Sequence, residues 1–298
     1  MPVHKGGAWL DAALASIAED EPGALEVIVR DSTPDAPCRE AVDRHAGRLS
    51  IDYAYMPEVA SWTRKTNLAV AAARADHVCT LHQDDLWLPG RLAQTRRLLS
   101  QHGHAALVLS PAQIVDGAGR VLGLWRPPFA AGPVDQDQCH ERLLVQNTIA
   151  IPAPVVRREA WLAVGGLDES LWYTPDWDLW LKLAAHGPVV YDPAPSTAFR
   201  IHPESQTMTG RRDEFAQQLE LVRERHSRPG GPTDRLARAS TRINIALSDA
   251  ASGRPAALWE ALAQLARLGP MGALRYLRLS RLAERLLPRL RLRLAGGM

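Results

Sequence analysis

Apolar residues recur at helical spacing from Trp9 to Ile17 and stop at the acidic run Glu19-Asp20-Glu21, which predicts a first helix. The β-branched run Leu25-Glu26-Val27-Ile28-Val29 then reads as a strand. It ends in Asp31-Ser32-Thr33-Pro34-Asp35, a cluster of turn and cap residues. The alternation continues: Cys38 to Leu49 is helical, Ile51 to Tyr55 alternates as a strand does, Thr66 to Ala75 is helical, and His77 to His82 is strand-like. A further helix opens at Leu88-Pro89-Gly90 and runs to about Leu99. Strand-like pieces at Ala105 to Leu109 and Gln113 to Val115 precede a loop around Pro127-Pro128. This order predicts an α/β fold with a Rossmann-like, mostly parallel central sheet flanked by helices. Ligands of such sheets bind beyond the carboxyl ends of the strands, where Asp31 to Asp35 and His82 to Asp85 both fall.

The pattern changes after the middle of the chain. From Arg212 onward no strand-like run is seen, and helices are expected over Glu214 to His226, Asp234 to Ala251 and Ala256 to Leu268. A boundary near Gly210 divides an α/β domain, residues 1–210, from a helical extension, residues 211–298.

Composition narrows the function classes. A chain of 298 residues, 46% of them hydrophobic, is long enough to bury a full core. A formal net charge of +2 is too small for the whole surface to act as a nucleic-acid-binding field, so no nucleic-acid partner is expected. Cys38, Cys79 and Cys139 are odd in number and far apart, and read as reduced thiols of a cytoplasmic protein. The first twenty residues lack the basic and apolar regions of a signal peptide. The apolar stretch Leu143 to Val156 contains Gln146, Asn147, Pro152 and Pro154, and falls short of the ~20 apolar residues that span a bilayer.

Candidate chemistry lies in short segments. His82-Gln83-Asp84-Asp85 places two adjacent carboxylates at a strand end, a costly pairing unless a cation binds, and hard oxygen ligands suit Mg²⁺ or Mn²⁺. The alternative is an Asp pair that caps the helix opening near Leu88. Further on, Gly165-Gly166-Leu167-Asp168-Glu169 precedes Thr174-Pro175-Asp176-Trp177-Asp178, an acidic start to another helix. There Asp176 is either a functional carboxylate or simply a helix N-cap.

In order and spacing these segments resemble the family 2 glycosyltransferases of the GT-A fold. Asp84 matches the second aspartate of the family's D-x-D stretch, to which the resemblance assigns the metal and donor diphosphate, and Asp85 matches the acid after it. His82 stands where the first aspartate belongs. Asp176 matches the second acid of the later motif, the catalytic base, with Pro175 in place of the first. Arg200-Ile201-His202 is similar to the family's R-x-H segment, which implies His202 as a third metal ligand. Asp31 matches an acid that contacts the nucleotide base, with Arg30 replacing its neighbour; turn capping is the alternative. Thr66 stands at the position of the arginine in the family's A-R-N stretch, so Arg64 and Lys65 are candidates to pair with the diphosphate.

Met1 to Gly6, with Pro2, resembles the P-x-Y-N turn after the family's first strand, placing Pro2 at the donor. The strand itself is expected to be missing, and a start upstream of Met1 would explain it. Trp172 and Trp177 flank the acid loop as candidates to stack on an acceptor sugar, with burial in the core as the alternative.

The resemblance spans Pro2 to Thr207. It implies an inverting, Mn²⁺- or Mg²⁺-dependent transfer of a sugar from a nucleotide-diphosphate donor to the hydroxyl of a sugar or lipid-linked acceptor, as in bacterial polysaccharide or glycoconjugate synthesis. Two other readings stay open. A nucleotidyltransferase would use similar parts, although no Gly-rich phosphate loop is seen, and a non-catalytic nucleotide-sugar binding module would fit His82 and the missing strand.

The C-terminal segment carries a separate expectation. Arg275, Arg278, Arg281, Arg285 and Arg289 fall on one side of a helix, and Tyr276, Leu279, Ala283, Leu286 and Leu290 on another, interrupted by Pro288. Either this is an interfacial helix that makes peripheral contact with an anionic membrane, or it packs its leucines on the first domain.

Overall fold

The computed structural model describes residues 1–20, 25–34, 38–202, 212–228, 230–231 and 233–294. The predicted boundary at Gly210, Asp35 and the turn at Pro203 lie outside them.

The N-terminal part is a parallel three-stranded sheet with helices between the strands: β1 (Pro2–Val3), α1 (Gly7–Asp20), β2 (Glu26–Asp31), α2 (Cys38–His45) and β3 (Ser50–Tyr55). The first strand, expected to be missing, is present as two residues. Pro2 pairs with Arg30 and Val3 with Asp31, and the Met1 amino group donates to the Ile28 carbonyl at 2.8 Å. Helix α1 buries Leu10, Ala13, Leu14 and Ile17 against Val27 and Val29, the face its periodicity predicted.

Next come α3 (Trp62–Ala72), β4 (His77–Val78), β5 (Leu86–Trp87), α4 (Arg91–His102), β6 (Leu107–Leu109), β7 (Ala112–Val115), β8 (Val121–Trp125) and β9 (Gly132–Val134). The expected strand from His77 to His82 is therefore shorter, and Cys79 to Asp85 is a loop. Helix α3 starts four residues earlier than its apolar pattern suggested, because Ser61 caps it by accepting from the Arg64 amide. The chain continues through α5 (Gln136–Val145), β10 (Val155–Arg157), α6 (Arg158–Ala163), α7 (Pro175–His186), β11 (Val189–Tyr191) and β12 (Thr197–Arg200).

These later strands form two mixed sheets, ordered β4-β10-β6-β11-β9 and β5-β12-β7-β8. Each has one parallel pair inside, β6 with β11 and β7 with β12, and antiparallel strands outside it. The bend between the sheets falls at Ser110-Pro111, where the Pro111 carbonyl accepts from the Ser196 amide and the two serine hydroxyls lie 2.5 Å apart. The largest core cluster, with Leu107, Leu143, Leu181 and Trp180, sits between α5, α7 and the β6-β11 pair. Truncating one such leucine to alanine costs about 2–5 kcal/mol.

After residue 211 the described chain is helical throughout: α8 (Arg212–His226), α9 (Asp234–Ala251), α10 (Ala257–Arg267), α11 (Gly269–Ser280) and α12 (Leu282–Leu294). The expected basic helix is broken in two at Arg281, whose φ is +49°. Tyr276 and Leu279, assigned to a lipid-facing stripe, are buried against Leu236 and Ile243 of α9. Helix α12 packs on β8, with Pro288 so close to Gly123 that an added Cβ there would lie 2.9 Å from its ring. Of the expected stripe, Tyr276 and Leu279 are thus covered by α9 while Leu290 is exposed, and Leu292 packs against Ile114 of β7, which corrects the single lipid-facing stripe of the interfacial-helix expectation.

Candidate functional site

The loop after β4 brings three possible ligands together. One ligand atom each from His82, Asp84 and Asp85 lies within 4.8 Å of the others. Asp85 is buried; its Oδ1 accepts from the Arg200 amide at 3.0 Å, and its Oδ2 has no hydrogen-bond partner. Burial, followed by the charge of Asp84, pushes the Asp85 pKa well up. Burial also disfavours the Asp84 carboxylate, yet the hydrogen bond from His202, helped by the neighbouring His82 ring, holds its pKa below the ordinary value.

His202 Nε2 lies 3.1 Å from Asp84 Oδ2, and its ring stacks on Trp9 with centroids 5.7 Å apart. His82 was read only as a substitution for an aspartate, and the structure makes it a member of the cluster. Its buried Nε2 has no partner, and burial lowers its pKa to about 4, so it is a neutral imidazole at pH 7. Orphaned oxygen and nitrogen donors beside a carboxylate fit a divalent cation of the Mg²⁺ or Mn²⁺ type.

Several neighbours hold this loop in place. The side-chain amide of Gln83 accepts from the His4 amide at 2.8 Å and donates to the His4 carbonyl at 2.9 Å, tying the loop to the turn after β1. The Arg200 guanidinium donates to the carbonyls of Asp84, Asp116 and Gly117 and lies 4.3 Å from the centre of the Trp9 ring.

The N-terminal candidates divide. Pro2 sits in β1, buried. Arg64 is exposed on the first turn of α3. Lys65 is buried; it donates to the Val3 carbonyl at 2.6 Å and to Ser32 Oγ at 2.7 Å, so two of its three N–H donors are spent inside the protein. Burial lowers its pKa to about 8. Asp31 is fully buried: Oδ1 accepts from the Thr33 amide and hydroxyl and Oδ2 from Tyr53. Turn capping, the alternative weighed for Asp31, describes this geometry.

Asp176 lies in the first turn of α7, after Thr174 and Pro175. Its Oδ2 accepts from Asn147 Nδ2 at 2.9 Å, and burial raises its pKa to about 6 against the opposing effect of that hydrogen bond. Asp178, two residues on, is wholly buried and ion-paired with Lys182, Arg225 and His226 at 2.9 Å each. These partners outweigh its burial and hold its pKa far below the carboxylate range. Arg225 also reaches Asp168 at 2.9 Å, so helix α8 braces both α7 and the Gly-Gly loop.

That loop is fixed from α3 by Asn67, which donates to the Leu167 carbonyl and accepts from the Leu167 amide. Gly165 and Gly166 have φ of +79° and +65°, and a Cβ on Gly166 would lie 2.6 Å from Asn67 Oδ1. Trp177 is in the core and donates its indole N–H to the Leu143 carbonyl at 2.7 Å. No ring face is left for a sugar, which corrects its acceptor assignment. Trp172 is half-buried beside Tyr173. Its carbonyl accepts from Trp62 Nε1 at 3.2 Å, and the Trp62 ring meets His82 edge-on at 5.0 Å. Trp62, with no motif of its own, thus links the cation cluster to the acid loop.

Residues 1–144 match the sequence profile of Glycosyl transferase family 2. An uncharacterized glycosyltransferase of Haemophilus influenzae is 23% identical over 196 residues, 61% of this chain and 60% of that protein. Among solved structures, residues 1–349 of S. aureus TarS in complex with UDP-GlcNAc align with a TM-score of 0.62 at 13% identity, covering 93% of this chain and 88% of that one. The mannosyltransferase PcManGT of Pyrobaculum calidifontis, in complex with GDP-Man and Mn²⁺, aligns at 0.58 with 17% identity, covering 92% and 75%. The chain spans 38% of the longer S. aureus TarS chain. The first 144 residues of this chain are thus similar in sequence to glycosyl transferase family 2, and the fold is GT-A-like over most of its length.

Proposed function

We propose that this protein is an inverting glycosyltransferase that moves a sugar from a nucleotide-diphosphate donor to an acceptor hydroxyl. The observation that carries the reading is the pairing of a His82-Asp84-Asp85 cluster with a separate, half-buried carboxylate, Asp176, whose pKa is raised to about 6. His82, Asp84 and Asp85, with His202 beside them, would hold Mn²⁺ or Mg²⁺, which when bound neutralises charge on the leaving diphosphate. Asp176 takes the proton of the acceptor hydroxyl as its oxygen attacks the anomeric carbon. The bond from that carbon to the diphosphate oxygen breaks, the nucleoside diphosphate leaves, and the configuration inverts. Asn147 orients the carboxylate by donating to its Oδ2. Arg64, exposed at the start of α3, is the side chain best placed to pair with donor phosphate oxygens. The donors named for TarS and PcManGT, UDP-GlcNAc and GDP-Man, support a nucleotide-sugar donor here. The division into a catalytic domain and a helical extension, residues 1–210 and 211–298, belongs to this proposal, as does a role in polysaccharide or glycoconjugate synthesis.

The proposed place of action is the cytoplasmic side of a membrane, where the free thiols of Cys38, Cys79 and Cys139 also belong. Among the described residues no helix is long and apolar enough to cross a bilayer. Peripheral contact is assigned to exposed Trp259 and Leu262 of α10 and Met271 and Leu274 of α11, beside Arg275 and Arg278. Flotation with anionic liposomes tests it; Trp259→Ser with Leu274→Ser should reduce it, and unchanged flotation rejects these residues.

The deciding experiment for the transferase reading incubates the full chain with UDP- and GDP-sugars and Mn²⁺. Release of nucleoside diphosphate that stops with EDTA is expected. Pyrophosphate release instead would identify a nucleotidyltransferase, and binding without turnover a binding module.

A further inference from the structure

Helix α12 turns two arginines inward, Arg285 towards α9 and Arg289 towards Trp125 of β8. Arg285 donates to Asn244 Oδ1 at 2.6 Å and to the Ser280 carbonyl at 3.4 Å. Arg289, one turn on, donates to the Arg285 carbonyl at 2.6 Å, and its guanidinium lies 5.9 Å from the centre of the Trp125 ring. Every one of these acceptors is neutral. Among the described residues neither arginine is ion-paired with a carboxylate, and Glu284, the acid of this helix, is taken by Arg126 and Arg281.

Burial lowers both guanidinium pKa values, that of Arg285 to about 10, and the charge of Arg289 depresses Arg285 further. Two half-buried cations one turn apart, with only neutral partners, are costly to keep. A planar, forked donor set of this kind matches the oxygens of a phosphate.

The position of the pair is as telling as its charge. Asn244, which accepts from Arg285, donates to Gln146 Oε1 at 2.9 Å, and the next residue, Asn147, holds Asp176. Both arginines also lie within electrostatic reach of Tyr173, three residues before Asp176. The cation pair and the base therefore hang from the same dipeptide, Gln146-Asn147. The cluster of His82, Asp84 and Asp85 belongs to a different loop, after β4.

We propose that Arg285 and Arg289 bind a phosphate group carried by the acceptor, next to the hydroxyl that Asp176 deprotonates. This rests on Asp176 being the base of a glycosyl transfer. The acceptor is then an anionic, phosphate-bearing molecule, and helix α12, outside the segment that matches the family profile, selects it.

The test uses the full chain at low salt, with glycerol 1-phosphate in calorimetry and vesicles of phosphatidylglycerol in phosphatidylcholine as the two probes. Arg285→Gln with Arg289→Gln should weaken binding of at least one probe by about tenfold or more, the loss expected when charge-assisted hydrogen bonds go. Loss confined to glycerol 1-phosphate assigns a soluble or polymeric phosphate, and loss confined to vesicles a lipid headgroup. Arg289→Lys, a variant that keeps the charge and the packing on Trp125, should retain part of the affinity. Equal binding by wild type and the double variant, or no binding of either probe by wild type, overturns the proposal. Mn²⁺-dependent UDP and GDP affinity is measured on the same proteins. A loss there as large as for phosphate would move the arginines to the donor and also overturn it. Absence of Mn²⁺-dependent nucleotide binding in wild type, with phosphate binding intact, would instead defeat the transferase reading.

Discussion

Asp84-Asp85 and Asp176-Asp178 are both close pairs of acids, and in each one carboxylate is driven up in pKa while the other is held down. They differ in where the compensating charge comes from. Around Asp178 the protein supplies its own cations, Lys182, Arg225 and His226, two of them from helix α8. Around Asp84 and Asp85 the contacts are a histidine, a backbone amide and an orphaned oxygen, and the Arg200 guanidinium donates to carbonyls rather than to the carboxylates. A fully compensated acid is a brace; an under-compensated pair is a place for an outside cation. The same contrast separates Asp176 from Asp178 within one turn of helix: the second is ion-paired to three cations, and the first has only amide donors and no cation beside it.

The sharpest way to break this comparison is to exchange the roles. Asp176→Asn should lower kcat by about 10²–10⁴-fold, the usual worth of a general base, while Mn²⁺-dependent donor affinity stays within a few fold. Steady-state kinetics and calorimetry on one preparation decide it; transfer within a few fold of wild type would remove Asp176 from the mechanism.

Asp84→Asn should act on the other side. Metal-dependent nucleotide affinity should fall by more than roughly tenfold, since changes even in the outer shell of a metal site reach that size. Calorimetric affinity that keeps its Mn²⁺ dependence would show the cluster is held for another purpose.

Asp178→Ala should cost about 2–3 kcal/mol of stability, somewhat below the range for a broken buried pair, because Lys182 and Arg225 are part-exposed and regain water. Denaturant unfolding measures it. The sign of its pH dependence follows from the depressed pKa: the stabilisation is present above the unfolded carboxylate value near 4 and fades as pH falls below it. A variant with wild-type stability at pH 7 would mean the ion network is incidental.

The smallest effect is in the pH–rate profile. With Asp176 raised to about 6, the rate should fall roughly tenfold per pH unit below 6 and level off above it. A profile flat to pH 5 would contradict a base in that environment.

The first half of the fold was legible because hydrophobic periodicity reports burial on a single face. Helix α1, strands β2 and β3 and the C-terminal helices α8, α9 and α10 all fall near where the periodicity placed them. Strands β8 and β9 were not foreseen, because Gly123 interrupts the first and Gly132-Pro133 makes up most of the second, residues that read as turn signals.

Asp84, Asp85 and Asp176 are recognisable from local order because a carboxylate at a strand or helix end has a restricted range of uses. Their charge states are not local properties. Asp176 and Asp178 are chemically identical acids two residues apart, and it is Arg225 and His226, far along the chain, together with Lys182, that hold the second ionised while burial raises the pKa of the first. Likewise the arginine repeat of the last helices fitted a membrane face on a helical wheel. The turn at Arg281 and the packing of Pro288 on Gly123 decided which arginines face inward, because the direction of a side chain is set by what its helix packs against and not by its spacing in the sequence.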